Sequence, residues 1–97
     1  MFGLGGVFIE VLKDVTFRVP PFTRVDAAAM LHELAGSAML GGVRGQPAAD
    51  LDALVDVLMK VQHLAVDLSG EVAELDINPL LAGPKGVVAA DALVVLS

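Results

Sequence analysis

The stretch Glu74-Leu75-Asp76-Ile77-Asn78-Pro79-Leu80-Leu81 decides how the rest of the chain is read. Side chains alternate faces along a strand, so Ala73, Leu75 and Ile77 point one way and Glu74, Asp76 and Asn78 the other. The polar face ends in a carboxylate and an amide two residues apart, after which Pro79 stops regular pairing. Two hard oxygen donors on one strand face suit a Mg²⁺ held between protein and phosphate, because Mg²⁺ takes few protein ligands and keeps waters or substrate oxygens. The same residues also describe a solvated strand face running into a turn, and spacing alone favours that plainer reading.

Downstream, Ala82 to Gly86 reads as a turn and Val87 to Leu96 as a partner strand, so the end of the chain is an antiparallel hairpin. Residues directly opposed in such a hairpin point to the same side. The register that sets Asp91 opposite Asp76, Asn78 opposite Ala89 and Ala82 opposite Lys85 leaves Gly83-Pro84 as the connection. A slip of one residue would set Asp91 against Ile77 and bury a carboxylate among apolar groups, which is expensive without a partner. Two opposed carboxylates repel unless a cation lies between them. Asp76, Asn78 and Asp91 are therefore expected together on the sheet face away from the helices.

Upstream lie two helices and a loop. Thr23 with Asp26 three residues on forms an acidic capping box for a helix from about Arg24 to Leu34, stopped by Gly36. Val25, Ala28, Ala29 and Leu31, with His32 beside them, are expected on its core side. Asp50 caps the longest helix, Leu51 to about Asp67, whose stripe is Leu51, Leu54, Val55, Leu58, Val61 and Ala65, with Met59 as core filler. His32 and His63 each lack a second ligand at metal spacing on their own helix and read as ordinary helix residues. Between the helices, Ser37 to Asp50 is glycine-rich and carries Arg44. A planar guanidinium there suits a phosphate or carboxylate, and equally suits tying down loop carbonyls.

The N-terminal Met1 to Gly6 is glycine-dense but lacks the strand before and helix after that a phosphate loop needs. Val7 to Leu12 and Val15 to Val19 read as a hairpin, with Leu12 opposite Thr16 and Glu10 opposite Arg18. Glu10 and Arg18 then form a cross-strand ion pair, while Ile9, Val11, Phe17 and Val19 share the apolar face. The order is strand, strand, helix, helix, strand, strand. It predicts one α+β domain over residues 1–97, with about four antiparallel strands and two helices on a single face (ββααββ).

Composition limits the function. The hydrophobic fraction is 56% in 97 residues and the mean hydropathy is +0.75, which is more apolar surface than a small domain hides easily. A large partner surface, or a chain cut from something longer, is expected. No apolar run reaches membrane-span length, and no secretion signal is visible. A chain without cysteine fits a cytoplasmic protein. A net charge of −6, with no Trp or Tyr to stack a base, argues against nucleic acid.

Three blocks together carry a family resemblance: Phe2-Gly-Leu-Gly-Gly-Val-Phe-Ile-Glu-Val-Leu-Lys-Asp-Val-Thr-Phe-Arg18, Gly42-Val-Arg-Gly-Gln-Pro-Ala-Ala-Asp50 and Glu74-Leu-Asp-Ile-Asn-Pro-Leu80. They closely resemble the ATP-grasp domain of ADP-forming acyl-CoA (acetyl-CoA) synthetases, including fused enzymes with a CoA-binding part and some with an acetyltransferase domain. More distantly they are similar to the β chain of succinyl-CoA synthetase. The resemblance covers nearly the whole chain. It implies the C-terminal part of an ATP-grasp fold, within its second lobe. It also implies the reversible reaction of acid, CoA and ATP to acyl-CoA and ADP through an acyl phosphate and a phosphohistidine.

The resemblance further implies Mg²⁺ and ATP/ADP as cofactors. Asn78 and Asp91 would be metal ligands, Asp76 a nearby oxygen donor, and Glu10 and Arg44 nucleotide-site residues. Neither His32 nor His63 matches the phosphorylated histidine, and the Lys-bearing strands and adenine pocket of the family have no counterpart here. The chain by itself is thus expected to be inactive and to associate with itself, its natural partners being the remaining ATP-grasp and CoA-binding domains. The alternative is a non-catalytic α+β module that binds a protein partner or regulatory ligand through its sheet.

Overall fold

The computed structural model describes residues 1–5, 11, 13–37, 40 and 50–97. Among these the chain is α+β, with short strands β1 (Phe2–Gly3) and β2 (Val15–Thr16), helices α1 (Arg24–Glu33) and α2 (Leu51–Asp67), and strands β3 (Val72–Ile77), β4 (Leu80–Gly83), β5 (Gly86–Ala89) and β6 (Ala92–Leu96). No helix among the described residues is long and apolar enough to cross a membrane.

Both helices start where the sequence says. Thr23 accepts from the Asp26 amide, and the Asp26 side chain accepts from the Thr23 amide, completing the capping box. The Asp50 side chain accepts from the Ala53 amide at 3.0 Å. The buried side of α1 differs from expectation. Ala27, Met30, Leu31 and Leu34 are buried, whereas Val25 is 78% exposed. These residues follow a helical i, i+3, i+4, i+7 spacing. Three consecutive alanines followed by Met and Leu offer no polar contrast, so several stripes fit the sequence about equally well.

In α2 the expected stripe holds in its first half, where Leu54 and Val55 are buried. It fails at Ala65, which is exposed. Ala27, Leu31, Leu54 and Val55 form the core cluster, with Phe2, Phe22, Leu58, Met59 and Val87 packed around it. Gln62 is also buried, at 3% exposure. Its amide is satisfied at both ends: Oε1 accepts from the Phe22 N–H and Nε2 donates to the Phe22 carbonyl, each at 2.6 Å. That clamp fixes the segment entering α1 onto α2.

The terminal hairpin is present, with its register shifted by two residues from the expected one. Asp76 faces Leu93, Ile77 faces Ala92, Leu80 faces Ala89 and Gly83 faces Gly86. The connection is therefore Pro84-Lys85 rather than Gly83-Pro84. The reason lies in the turn: proline's fixed φ suits the first central position and is disfavoured at the second. Gly86 follows at φ 130°, outside the usual range of L-residues.

The strands form three two-stranded ladders (β1 with β2, β3 with β6, β4 with β5) among the described residues, not one sheet of about four strands. Pro79 brings no N–H to the ladder, which divides the long hairpin into two halves. Two bonds still cross the gap, from the Asn78 amide to the Asp91 carbonyl at 3.2 Å and from the Ala90 amide to the Pro79 carbonyl at 2.9 Å. The hairpin tip is fastened to α2, the Asp50 amide donating to the Gly83 carbonyl at 2.8 Å.

At the other end, Thr16 faces Phe2 and Val15 faces Gly3. The partners expected on the other edge of β2, Glu10 and Leu12, lie outside the described residues. Phe17 and Val19, expected on a shared apolar face, are 64% and 85% exposed.

Candidate functional site

The Asn78-Pro79 break places the candidate metal ligands. Because the register moved by two residues and not one, the residues keep the same sides and change partners. Asn78, not Asp76, stands opposite Asp91, joined to it by the backbone bond across the break. Asp76 is one pair further along, facing Leu93. All three residues are exposed, and among the described residues no ion pair engages Asp76 or Asp91.

Asp76 and Asn78 border an open cleft of about 230 Å³, closed on its other sides by the Met1–Gly5 segment, Leu40, Leu54 and residues of β4. The side they occupy is therefore not a bare sheet face turned from both helices, since Leu54 of α2 contributes to its wall. Leu75 and Val94 border a second cleft with Leu64 and Ala65 of α2 and with Leu68, the residue that follows it. Asp76 alternates to the side opposite Leu75, so it faces away from that half of the helix.

Asp91 is only partly drawn in. Its Oδ1 accepts from the Ala92 amide at 2.8 Å, and it does not border the Asp76–Asn78 cleft. Among the described residues no group of three His, Cys, Asp or Glu is gathered. What the hairpin assembles is one amide-bearing and one carboxylate-bearing residue at opposed backbone positions, with a second carboxylate one pair away. That donor set is all oxygen, uncompensated by protein cations among the described residues. It suits a small hard cation that completes its shell with water or phosphate oxygens, better than a zinc-type ion.

Glu10 and Arg44 lie outside the described residues. His32 and His63 are exposed on their helices, consistent with ordinary surface positions. Arg18 is bound to the carboxylate of Glu33 at the end of α1, its Nη1 donating to Oε1 at 2.9 Å while Nη2 pairs with Oε2. Thr16 Oγ1 donates to the same Oε1 at 2.6 Å. Arg18 and Thr16 together hold the Glu33 carboxyl well below the usual carboxylate range, at about 2.

Sequence reasoning missed this cluster, and missed that Asp14 accepts from the amides of Ala35 and Gly36 at 2.7 and 2.8 Å. No spacing rule joins residues separated by some twenty positions. The one available signal for the cleft's other wall was the glycine-dense N-terminus, where a backbone can approach closely.

The family described as ATP-grasp domain matches residues 1–96. The chain is 47% identical over 98 residues to the ADP-forming acetate–CoA ligase II subunit beta of Pyrococcus furiosus, covering 99% of this chain and 42% of that protein. It resembles the solved dinucleotide forming acetyl-coenzyme A synthetase 1 of Ca. Korarchaeum cryptofilum, in complex with coenzyme A and acetyl-coenzyme A and with a phosphorylated phosphohistidine segment. There the TM-score is 0.94 at 41% identity, covering 98% of this chain and 42% of that one. A second structure of that synthetase, with coenzyme A and Mg-AMPPCP and its phosphohistidine segment pointing towards the nucleotide binding site, matches with a TM-score of 0.91 at 41% identity over 98% of this chain and 44% of that one. The chain thus spans about two fifths of the length of these relatives.

Proposed function

The chain belongs to the ATP-grasp family, and on that premise we propose that it supplies the Mg²⁺–phosphate side of the nucleotide site of an ADP-forming acid–CoA ligase. The observation that carries the reading is the opposition of Asn78 and Asp91 at the Pro79 break, beside a cleft bordered by Asp76. The adenine pocket and the phosphohistidine segment are assigned to the part of the relatives' length that this chain does not span.

In this reading Asn78 offers its amide oxygen. Asp91 offers Oδ2, its Oδ1 being held by the Ala92 amide, and Asp76 adds a carboxylate oxygen on the cleft side. The donor set fits Mg²⁺ because it is hard and incomplete, leaving positions for nucleotide oxygens and water. When bound, the ion neutralises charge on the phosphate oxygens during phosphoryl transfer. The chain's own residues orient and hold. Pro79 ends the ladder so that the Asn78 side chain can turn to a ligand, and the opposed backbone bond keeps Asp91 in reach. Glu10 and Arg44 are proposed to contact the nucleotide phosphates, Arg44 through its planar fork.

Paramagnetic relaxation tests this without turnover. Mn²⁺ with AMPPCP added to the chain should broaden the amide signals of Asn78, Asp91 and Asp76 before those of α1. Broadening confined to other acidic residues, such as Asp52 and Asp67, would overturn the assignment. A synthetase assay is the complement: the chain alone should make no acyl-CoA from acetate, CoA and ATP, and a subunit completed with the remaining part of its relative should.

A further inference from the structure

Glu33 lies far in sequence from Asp76 and Asn78, yet a short path joins it to the cleft they border. Its Oε1 receives the Thr16 hydroxyl at 2.6 Å. Thr16 faces Phe2 across the β1–β2 ladder. Phe2 and Gly3 in turn form part of the wall of the cleft that Asp76 and Asn78 border.

Several features make this path more than a surface contact. Thr16 is 6% exposed, so its hydroxyl needs a partner, and a carboxylate is the strongest acceptor available. Arg18 grips both oxygens of that carboxylate, fixing its orientation. Two residues earlier in the same segment, Asp14 binds the Ala35 and Gly36 amides just beyond α1. The segment carrying β2 is therefore fastened at two points to the end of α1. It needs to be, because the β1–β2 ladder has only two residue pairs, and so short a ladder is not stable by itself.

We propose that Glu33 is a positioning residue of the nucleotide site: through Thr16 it fixes β2, and with it the Phe2–Gly3 wall that completes the cleft beside Asn78. This rests on the nucleotide reading given above. Loss of the Thr16–Glu33 bond frees β1 to move relative to Asn78, and the phosphate-bearing ligand loses one side of its site.

The test compares Thr16→Val, Thr16→Ser, Glu33→Gln and Arg24→Ala in the chain, using Mn²⁺ with AMPPCP as probe. Thr16→Val and Glu33→Gln should weaken probe binding about three- to tenfold and raise hydrogen exchange in the β1–β2 ladder. Thr16→Ser keeps the hydroxyl and should restore both values. Arg24→Ala, which removes the separate ion pair with Asp56, should leave both unchanged. If Glu33→Gln fails to fold, the Thr16→Val and Thr16→Ser pair decides. Unchanged probe binding alongside raised exchange overturns the positioning role and leaves the nucleotide reading standing. Absence of probe binding to the unsubstituted chain overturns both.

Discussion

Asn78 and Asp91 stand directly opposite each other across the terminal hairpin, the Asn78 amide donating to the Asp91 carbonyl at 3.2 Å where Pro79 interrupts the ladder. That bond is between backbones, so the Asn78 side-chain amide and the Asp91 Oδ2 remain for a ligand, Asp91 Oδ1 being held by the Ala92 amide. The first prediction separates that role from stability. Asn78→Ala or Asp91→Ala, in a completed synthetase subunit, should lower turnover about 10–100-fold, as losses at metal sites do. Both positions are exposed, so unfolding free energy should change by no more than about 0.5 kcal/mol. Parallel urea unfolding and steady-state assays check it. A fully active double substitution would remove Asn78 and Asp91 from the site.

Gln62 makes the contrasting case, a polar residue whose work is structural. It is buried and hydrogen-bonded to both the N–H and the carbonyl of Phe22. Gln62→Leu keeps the volume and strands two backbone groups, which should destabilise the chain by about 1–3 kcal/mol. The exposed neighbour His63, changed to Ala, should cost less than about 0.5 kcal/mol. Equal denaturation midpoints for the two variants would show that water replaces the clamp.

Much of the fold was legible in the sequence because its signals are local. Thr23 with Asp26, Asp50 before a stripe and a proline-containing turn are each read within a few residues. What was not legible depended on competition between distant parts. The hairpin register turned on whether Pro84 takes the first or second turn position, a choice that moves Asp91 from Asp76 to Asn78 without changing its side. The buried stripe of α1 was hidden by an apolar run with no contrast. The Thr16–Arg18–Glu33 cluster and the Asp14 latch join separate segments and leave no trace in spacing.

Glu33 also gives a prediction in pH. Its folded value of about 2 lies below the usual range near 4.3 for glutamate in an unfolded chain. A depressed carboxylate contributes stability that is complete above the unfolded value and is lost as pH falls from there through the folded one. Thermal unfolding between about pH 5 and pH 2 should therefore show a shallower decline for Glu33→Gln than for the unsubstituted chain. Parallel declines would mean that the Arg18 and Thr16 contacts do not persist in solution.

The hairpin turn allows backbone strain to be measured alone. Nothing lies within 4 Å of a Cβ built on Gly83 or on Gly86, but only Gly86 has a positive φ, 130°. Gly86→Ala should then destabilise by about 1–3 kcal/mol from conformation, while Gly83→Ala should be nearly neutral. Calorimetric unfolding of the two single variants gives the comparison. A tolerated Gly86→Ala would imply a different turn.

The surface provides the last prediction. Phe17, Val19, Val88, Leu93 and Leu96 are all more than half exposed. Scattered apolar residues are normal on any protein, but Leu93 and Leu96 share β6, a strand exposed along its whole length. An uncharged strand with that exposure is a template for association. At tens of micromolar, the chain should therefore sediment as more than a monomer or bind a hydrophobic dye. Leu93→Lys, which places a charge on β6, should reduce both signals. A monomer without dye binding would show that the apolar surface is compatible with an independent domain, and would weaken the case that the rest of an ATP-grasp subunit covers it.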